Sequence, residues 1–239
     1  MNLPLIRRIL PIGLILILEA CGPNITDVAL DGTLTILAPP PTQFPERILE
    51  EWIITDNIEE AAPRILVENK QLYLAVSGSL SPFVAIRPIK AQLLATPFLS
   101  WEWRIIDKLG NYAPFQLTIG FSDDAIEYTR MSIQRLWRPV IPKFARSLTI
   151  EWGQSALERG TLKIYKRDQI GRPLARYIAR GGRENQNRWW HETIDLSSLY
   201  SKAWPNLDMR DTKIVFAGFI VNKVQSDMSG HLRGVRLSR

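Results

Sequence analysis

The chain has 239 residues, 46% of them hydrophobic, a formal net charge of +6 and a single cysteine. That is enough chain for one large domain with a substantial core. The cationic excess is mild and spread along the sequence, which argues against nucleic acid and points to anionic lipid, a polyanionic glycan or no specific charged partner.

Residues 1–8 form a basic start ending in Arg7 and Arg8. Residues 9–18 are uncharged and apolar, and Leu18, Glu19, Ala20 and Cys21 follow. A positive region, an apolar region and a small residue before a cleavage point make the pattern of a secretory signal. As an uncleaved span the run is too short: ten helical residues reach about 15 Å, against a hydrocarbon core of roughly 30 Å. With cysteine at the first mature position, residues 1–20 resemble a bacterial lipoprotein signal and its lipobox. The resemblance implies cleavage before Cys21 and diacylation of its thiol, although Glu19 departs from the small or apolar residue usual there. An acylated Cys21 cannot form a disulfide, so stability must come from packing, and thiolate zinc sites are excluded. Neither a metal nor a cofactor is expected. Gly22 after the acylated residue, in place of Asp, resembles lipoproteins sent to the periplasmic side of the outer membrane in Gram-negative cells.

Residues 21–46 contain Pro39, Pro40, Pro41 and Pro45. Such a stretch stays extended and cannot enter a sheet interior. It reads as a tether with one short edge strand at 33–37, and the globular domain as residues 47–239.

From there the period is mostly two. Strands are expected at 64–67 and 71–76, a hairpin about Glu68, Asn69 and Lys70. Further strands are expected at 83–89, 98–106, 115–121, 128–133 and 147–152. A second hairpin pairs 162–166 with 174–179, and 188–194, 213–222 and 232–237 complete the set. One helix is expected at 196–203, with Asp195 as its N-cap. About a dozen short strands without a βαβ alternation describe an all-β, antiparallel two-sheet sandwich. In 98–106 and 147–152 the alternation places Trp101, Trp103 and Trp152 in the core and Glu102, Arg104 and Glu151 outside. Residues 213–222 are apolar on both parities, as in a strand covered on both faces.

Several groups could carry chemistry. Trp189 and Trp190 are adjacent, so in a strand they face opposite ways and one of them is expected outside. Trp137 lies in a proline-bounded loop and is the other exposed candidate; binding surfaces favour such Trp and Arg residues. Arg180, Gly181, Gly182 and Arg183 with Arg188 form a basic, glycine-containing loop able to receive an anion. Glu102 and Glu151 could act as a glycosidase pair only if about 5 to 10 Å apart. Asp123 and Asp124 end a strand and suit a turn better than a calcium site. His191 and His231 have no metal-ligand spacing.

Two segments carry a resemblance. Residues 97–104 (PFLSWEWR) and 190–196 (WHETIDL) look like the Trp-x-Trp strand and the Trp-x-Glu-x-x-Asp segment of an uncharacterised family of exported bacterial proteins. The closing stretch 230–238 also fits. The resemblance implies a jelly-roll-like sandwich similar to carbohydrate-binding modules and brings no activity with it. The acidic turn of that family is reduced here to Val224, Gln225, Ser226 and Asp227.

Together these features describe a lipid-anchored envelope protein. Its sandwich is expected to bind glycan or an anionic envelope polymer without catalysis, through Trp137, Arg183, Arg188, Trp189 and Trp190. The alternatives are a polysaccharide hydrolase using Glu102 and Glu151, and a structural or assembly lipoprotein making protein contacts.

Overall fold

Alternation along a single strand sets the layout. In β7 (Phe98–Ile106) the side chains of Leu99, Trp101, Trp103 and Ile105 are buried, while those of Glu102 and Arg104 face outward. The computed structural model describes residues 26–37, 52–55, 64–68, 71–77, 82–106, 113–123, 141–167, 172–222 and 229–239. Over these residues it is a jelly-roll-like sandwich of two sheets.

The eight-stranded sheet runs in the order β1 (Thr26–Asp27), β6 (Phe83–Gln92), β13 (Lys213–Val221), β8 (Phe115–Ser122), β9 (Arg146–Gly153), β11 (Leu174–Gly181) and β10 (Leu162–Tyr165). Here β3 (Ile53–Thr55) also pairs with β6. The six-stranded sheet runs β12 (Trp190–Asp195), β7, β14 (Ser229–Ser238), β5 (Gln71–Ser77) and β4 (Arg64–Glu68), and β2 (Leu34–Leu37) pairs with β14. Both expected hairpins form, β4 with β5 and β10 with β11. Pairing is antiparallel except at two places, β11 on β9 and β1 on β6. The first exception follows from connectivity: β10 folds back onto β11 from outside, so β11 runs alongside β9 in the same direction.

The two inner faces meet on an aromatic core. Trp103 lies 5.4 Å from both Trp101 and Trp152, ring centroid to centroid, at steep interplanar angles. The indole N–H groups of these three have no hydrogen-bond partner among the described residues. That cost is offset by edge-to-face packing and by an apolar burial that would cost about 3–5 kcal/mol to truncate at one Trp. As its composition predicts, β13 is buried on both faces: Ala217 and Phe219 look into the core. Val215 and Phe216 join Ile53 and Ile86 in a second apolar cluster.

Register defines two ends. Gln92, Phe98, Ser122, Arg146 and Lys213 lie at one, the base; Phe83, Ile106, Phe115, Gly153 and Val221 lie at the other, the apex. At the base, helix α1 (Leu196–Ala203) begins beside Phe98. Asp195 caps it by accepting the Ser198 N–H at 3.0 Å, and Leu196, Leu199, Tyr200 and Ala203 face inward. Burial pushes the Tyr200 hydroxyl pKa up from its ordinary value. That hydroxyl accepts from Arg146 at 2.5 Å and donates to Asp123 at 3.2 Å.

One feature reshapes the expected tether. The edge strand foreseen at 33–37 is present as β2, and Leu34 and Ile36 are buried in the core. With β1 also paired to β6, the sandwich takes in chain from Thr26 onward, ahead of the start expected at Arg47. The prolyl cluster, the strand expected at 128–133 and Val224 to Asp227 lie outside the described residues.

Candidate functional site

The chain enters β12 through a tight turn. Gly182 has φ of +87° and Asn187 has φ of 63°, the left-handed region that glycine and asparagine tolerate best. The Asn187 N–H donates to the Ile105 carbonyl at 2.9 Å, fixing where the next two residues emerge. Those residues are Trp189 and Trp190, and they part as strand geometry demands.

Trp190 pairs in register with Trp103 and packs against the core. The guanidinium of Arg180 sits 3.6 Å from its ring centroid and that of Arg188 sits 4.1 Å away. Two planar groups that close to one centroid must take opposite faces of the indole, so Trp190 offers no free face for a sugar. Its N–H donates to the Asn185 carbonyl at 2.7 Å. Beneath it Glu192, on the same inner face, accepts from Arg180 in a buried ion pair, with Arg159 3.4 Å away on the solvent side. Arg180 therefore does not belong to the expected anion loop. A register shift between Ile178 and Arg180 breaks the alternation of β11 and turns Arg180 inward, beside Trp152.

Trp189 lies on the opposite side, over the outer face of the six-stranded sheet. Arg233 stands 4.1 Å and Arg104 4.9 Å from its ring centroid, and Tyr73 meets it edge-on at 5.4 Å. Below it the pairings of β12, β7 and β14 line up three rungs of polar side chains, spaced about 7 Å apart along the strands. One holds Arg104 beside His231, the next His191, Glu102 and Arg233, and the third Thr193, Ser100 and Arg236. Within the rungs Arg104 donates to His231 Nδ1 at 2.8 Å, Arg233 donates to Glu102 at 2.7 Å, and the Ser100 and Thr193 hydroxyls are 2.9 Å apart. Because a guanidinium can only donate, Nδ1 of His231 is the accepting nitrogen in this contact. His191 approaches Glu102 at 4.0 Å. Within these three rungs, three arginines and two histidines stand with one carboxylate, Glu102.

The other candidates separate. Arg183 is exposed on the turn at Arg183–Asn185, and Arg188, also exposed, is committed to Trp190 and Asn185. Cys21, Trp137 and Asp124 lie outside the described residues. Asp123 is ion-paired to Arg146 at 2.6 Å, as a structural carboxylate would be. No group of three His, Cys, Asp or Glu side chains gathers among the described residues.

The carboxylate pair is corrected by topology. Glu102 points outward from the six-stranded sheet and Glu151 outward from the eight-stranded one, where it neighbours Arg176 at 3.5 Å. Stacked sheets are about 10 Å apart, so carboxylates on their far faces exceed both separations that glycoside hydrolysis uses, roughly 5 to 9.5 Å. Alternation alone placed both residues outside but could not say on which sheet.

Tyr73, Arg104, His231 and Arg233 were not among the sequence candidates. The outward parity of Arg104 was the one available signal. Its company is set by strand order, which brings β5, β14, β7 and the turn before β12 together from distant parts of the chain.

No family model matches the chain, and no curated protein does. Among solved structures it is similar to endoglucanase 3 of Trichoderma harzianum, from glycoside hydrolase family 12 (TM-score 0.45, 8% identity, 79% of this chain and 90% of that one). It is also similar to the family 11 carbohydrate-binding module of a Clostridium thermocellum cellulosomal cellulase (TM-score 0.43, 10% identity, 88% and 96%). A family 30 module from the same organism scores alike (TM-score 0.43, 8% identity, 86% and 96%). At these scores and identities the likeness assigns no activity to this chain.

Proposed function

We propose that the outer face of the six-stranded sheet binds a glycan or envelope polymer without transforming it, in a protein held to the envelope by a diacylated Cys21. The observation that carries the reading is the three-rung ladder beneath Trp189. It sets hydroxyl, imidazole, carboxylate and guanidinium groups in register on a sheet face, beside half-buried Trp189 packed on buried Tyr73. An extended polyhydroxylated chain can hydrogen-bond successive rungs while the indole edge supplies apolar contact. The excess of arginine favours a ligand bearing carboxylate, sulfate or phosphate. Non-catalytic binding is favoured because Glu102, the one carboxylate of the three rungs, is held by Arg233. The acylation part rests on the order of residues 1–21 alone.

The test is a panel of immobilised polymers, neutral β-glucans beside uronate- and phosphate-bearing ones, probed with the acylated full-length protein in detergent. Retention of an acidic polymer, weakened more than tenfold by Trp189→Ala and by Arg104→Ala, is expected for residues at the centre of a binding surface. Silence across the panel, or binding indifferent to both changes, overturns the reading.

A second reading, contact with another protein, is favoured by the eight-stranded sheet's edge strand β10, whose Ile164 and Tyr165 are exposed. Lys163 and Lys166 flank that edge in the manner that discourages pairing. Crosslinking through residue 164 to one defined partner would favour this reading over the first.

A further inference from the structure

Resting on the protein-contact reading of β10 alone, we propose that this edge takes up an extended acidic segment of another protein as an added strand. The first support is the unused backbone of β10. The Ile178 N–H donates to the Thr161 carbonyl at 3.0 Å, and from there β10 pairs with β11 residue for residue: Leu162 with Tyr177, Lys163 with Arg176, Ile164 with Ala175. In an antiparallel ladder alternate residues turn their backbone groups to the same side. Thr161, Lys163 and Tyr165 therefore bond to β11, while Leu162 and Ile164 hold their N–H and C=O groups outward. β10 ends the strand order of its sheet, and no partner meets those groups among the described residues. In the other sheet, β2 pairs with β14 on one side only, and Arg87 donates to its Thr35 and Ile36 carbonyls at 2.8 Å each. One edge is covered by a guanidinium of the same chain, and the other stays open as a template for pairing.

The second support is what the edge displays. Leu162 packs against the core, whereas Ile164, two residues on and so on the same side, is 54% exposed. Lys163, Tyr165 and Arg176 share the outer side, with the Arg176 guanidinium 5.1 Å from the Tyr165 ring centroid. Residues 158–176 carry six cations, Arg159, Lys163, Lys166, Arg167, Arg172 and Arg176, against two acids, Glu158 and Asp168. Arg159 reaches Glu192 and Arg176 lies 3.5 Å from Glu151, which still leaves four cations to the two acids. Lys163, Lys166 and Arg167 are exposed in the strand and just after it. A second copy of this chain would set those cations against their equals, which a strand pair penalises. A strand with carboxylates on the outer side and an apolar residue beside Ile164 would serve the open backbone, the charge and the exposed side chain together. The partner is thus an extended segment in which acidic and apolar residues alternate.

The experiment titrates full-length protein into a fluorescein-labelled peptide of alternating glutamate and valine, read by anisotropy. Beside it run a lysine–valine peptide and the glutamate–valine peptide N-methylated at every amide, which keeps its charge and cannot donate. Saturable binding of the plain acidic peptide alone is expected. Lys163→Glu/Lys166→Glu should weaken it more than tenfold. Ile164→Pro should do the same, since it deletes an outward N–H and no bond to β11. No binding of the plain peptide, equal binding of the N-methylated one, or indifference to either change overturns the proposal. The N-methylated arm decides on wild-type protein if Ile164→Pro does not fold. The contact reading is judged apart: a defined partner crosslinked through residue 164 that the peptide does not displace keeps that reading and overturns strand addition.

Discussion

The two sides of β12 put the same residue types to opposite uses. Inside, the Arg180–Glu192 ion pair is buried, under a half-buried Trp190 that carries guanidinium groups on both faces. Outside, Trp189, Arg233 and Glu102 repeat that triad with an indole as half-buried as Trp190, but here the carboxylate remains partly open to solvent. Tryptophan, arginine and glutamate therefore carry no functional meaning by type. Enclosure makes one triad a fastening between the sheets, and openness leaves the other able to exchange its partners for a ligand.

The largest expected effect is on the inner side. Glu192→Ala leaves the Arg180 guanidinium buried beside a cavity, and a loss of about 3–5 kcal/mol is expected in urea unfolding, the usual cost of breaking a buried pair. The double change Arg180→Met/Glu192→Leu should recover much of it. A double variant no better than the single one would mean the pair does more than hold charge.

Next comes the base. Tyr200→Phe removes the hydroxyl that joins Arg146 and Asp123, with an expected loss of about 1–3 kcal/mol. Its pH dependence is a sharper check. Burial raises the folded-state pKa of Tyr200 above 10.0, its ordinary value. The neutral phenol is then favoured in the folded protein, so its stabilisation is complete below that ordinary value and is lost as pH rises through the raised one. Alkaline unfolding should be steeper in the wild type than in Tyr200→Phe; identical profiles would assign the alkaline loss to other groups.

The smallest effect belongs to the outer side. Glu102→Gln gives up a partly exposed pair with Arg233 and should shift stability by less than about 1 kcal/mol. It should tighten binding of an acidic polymer by freeing the guanidinium. Weaker binding on this change would show that Glu102 itself holds the ligand, and would break the division between the two sides.

How far the fold could be read in advance varies by element. The Trp-x-Trp alternation of β7, the helix 196–203 with its Asp195 cap, and both hairpins are local patterns, and each stands where it was expected. Arg180 was misread because a single register shift in β11 reverses inward and outward without leaving a mark in composition. The site was half legible. Adjacency of Trp189 and Trp190 dictated that they part, but Tyr73, Arg104, His231 and Arg233 could not be joined to them, since cross-strand neighbours are set by sheet order.

What the linear chain settled by itself is periodicity: which side chains of a strand share a face, where a helix begins, and which indoles are interior. These follow from the geometry of a few consecutive residues. Tertiary structure alone decided which outward faces belong together, why Glu102 and Glu151 stand back to back, and how little chain separates Cys21 from the sandwich. Each of those depends on pairings between segments far apart in sequence, and the hydrogen bonds that choose among such pairings are the same for every residue type.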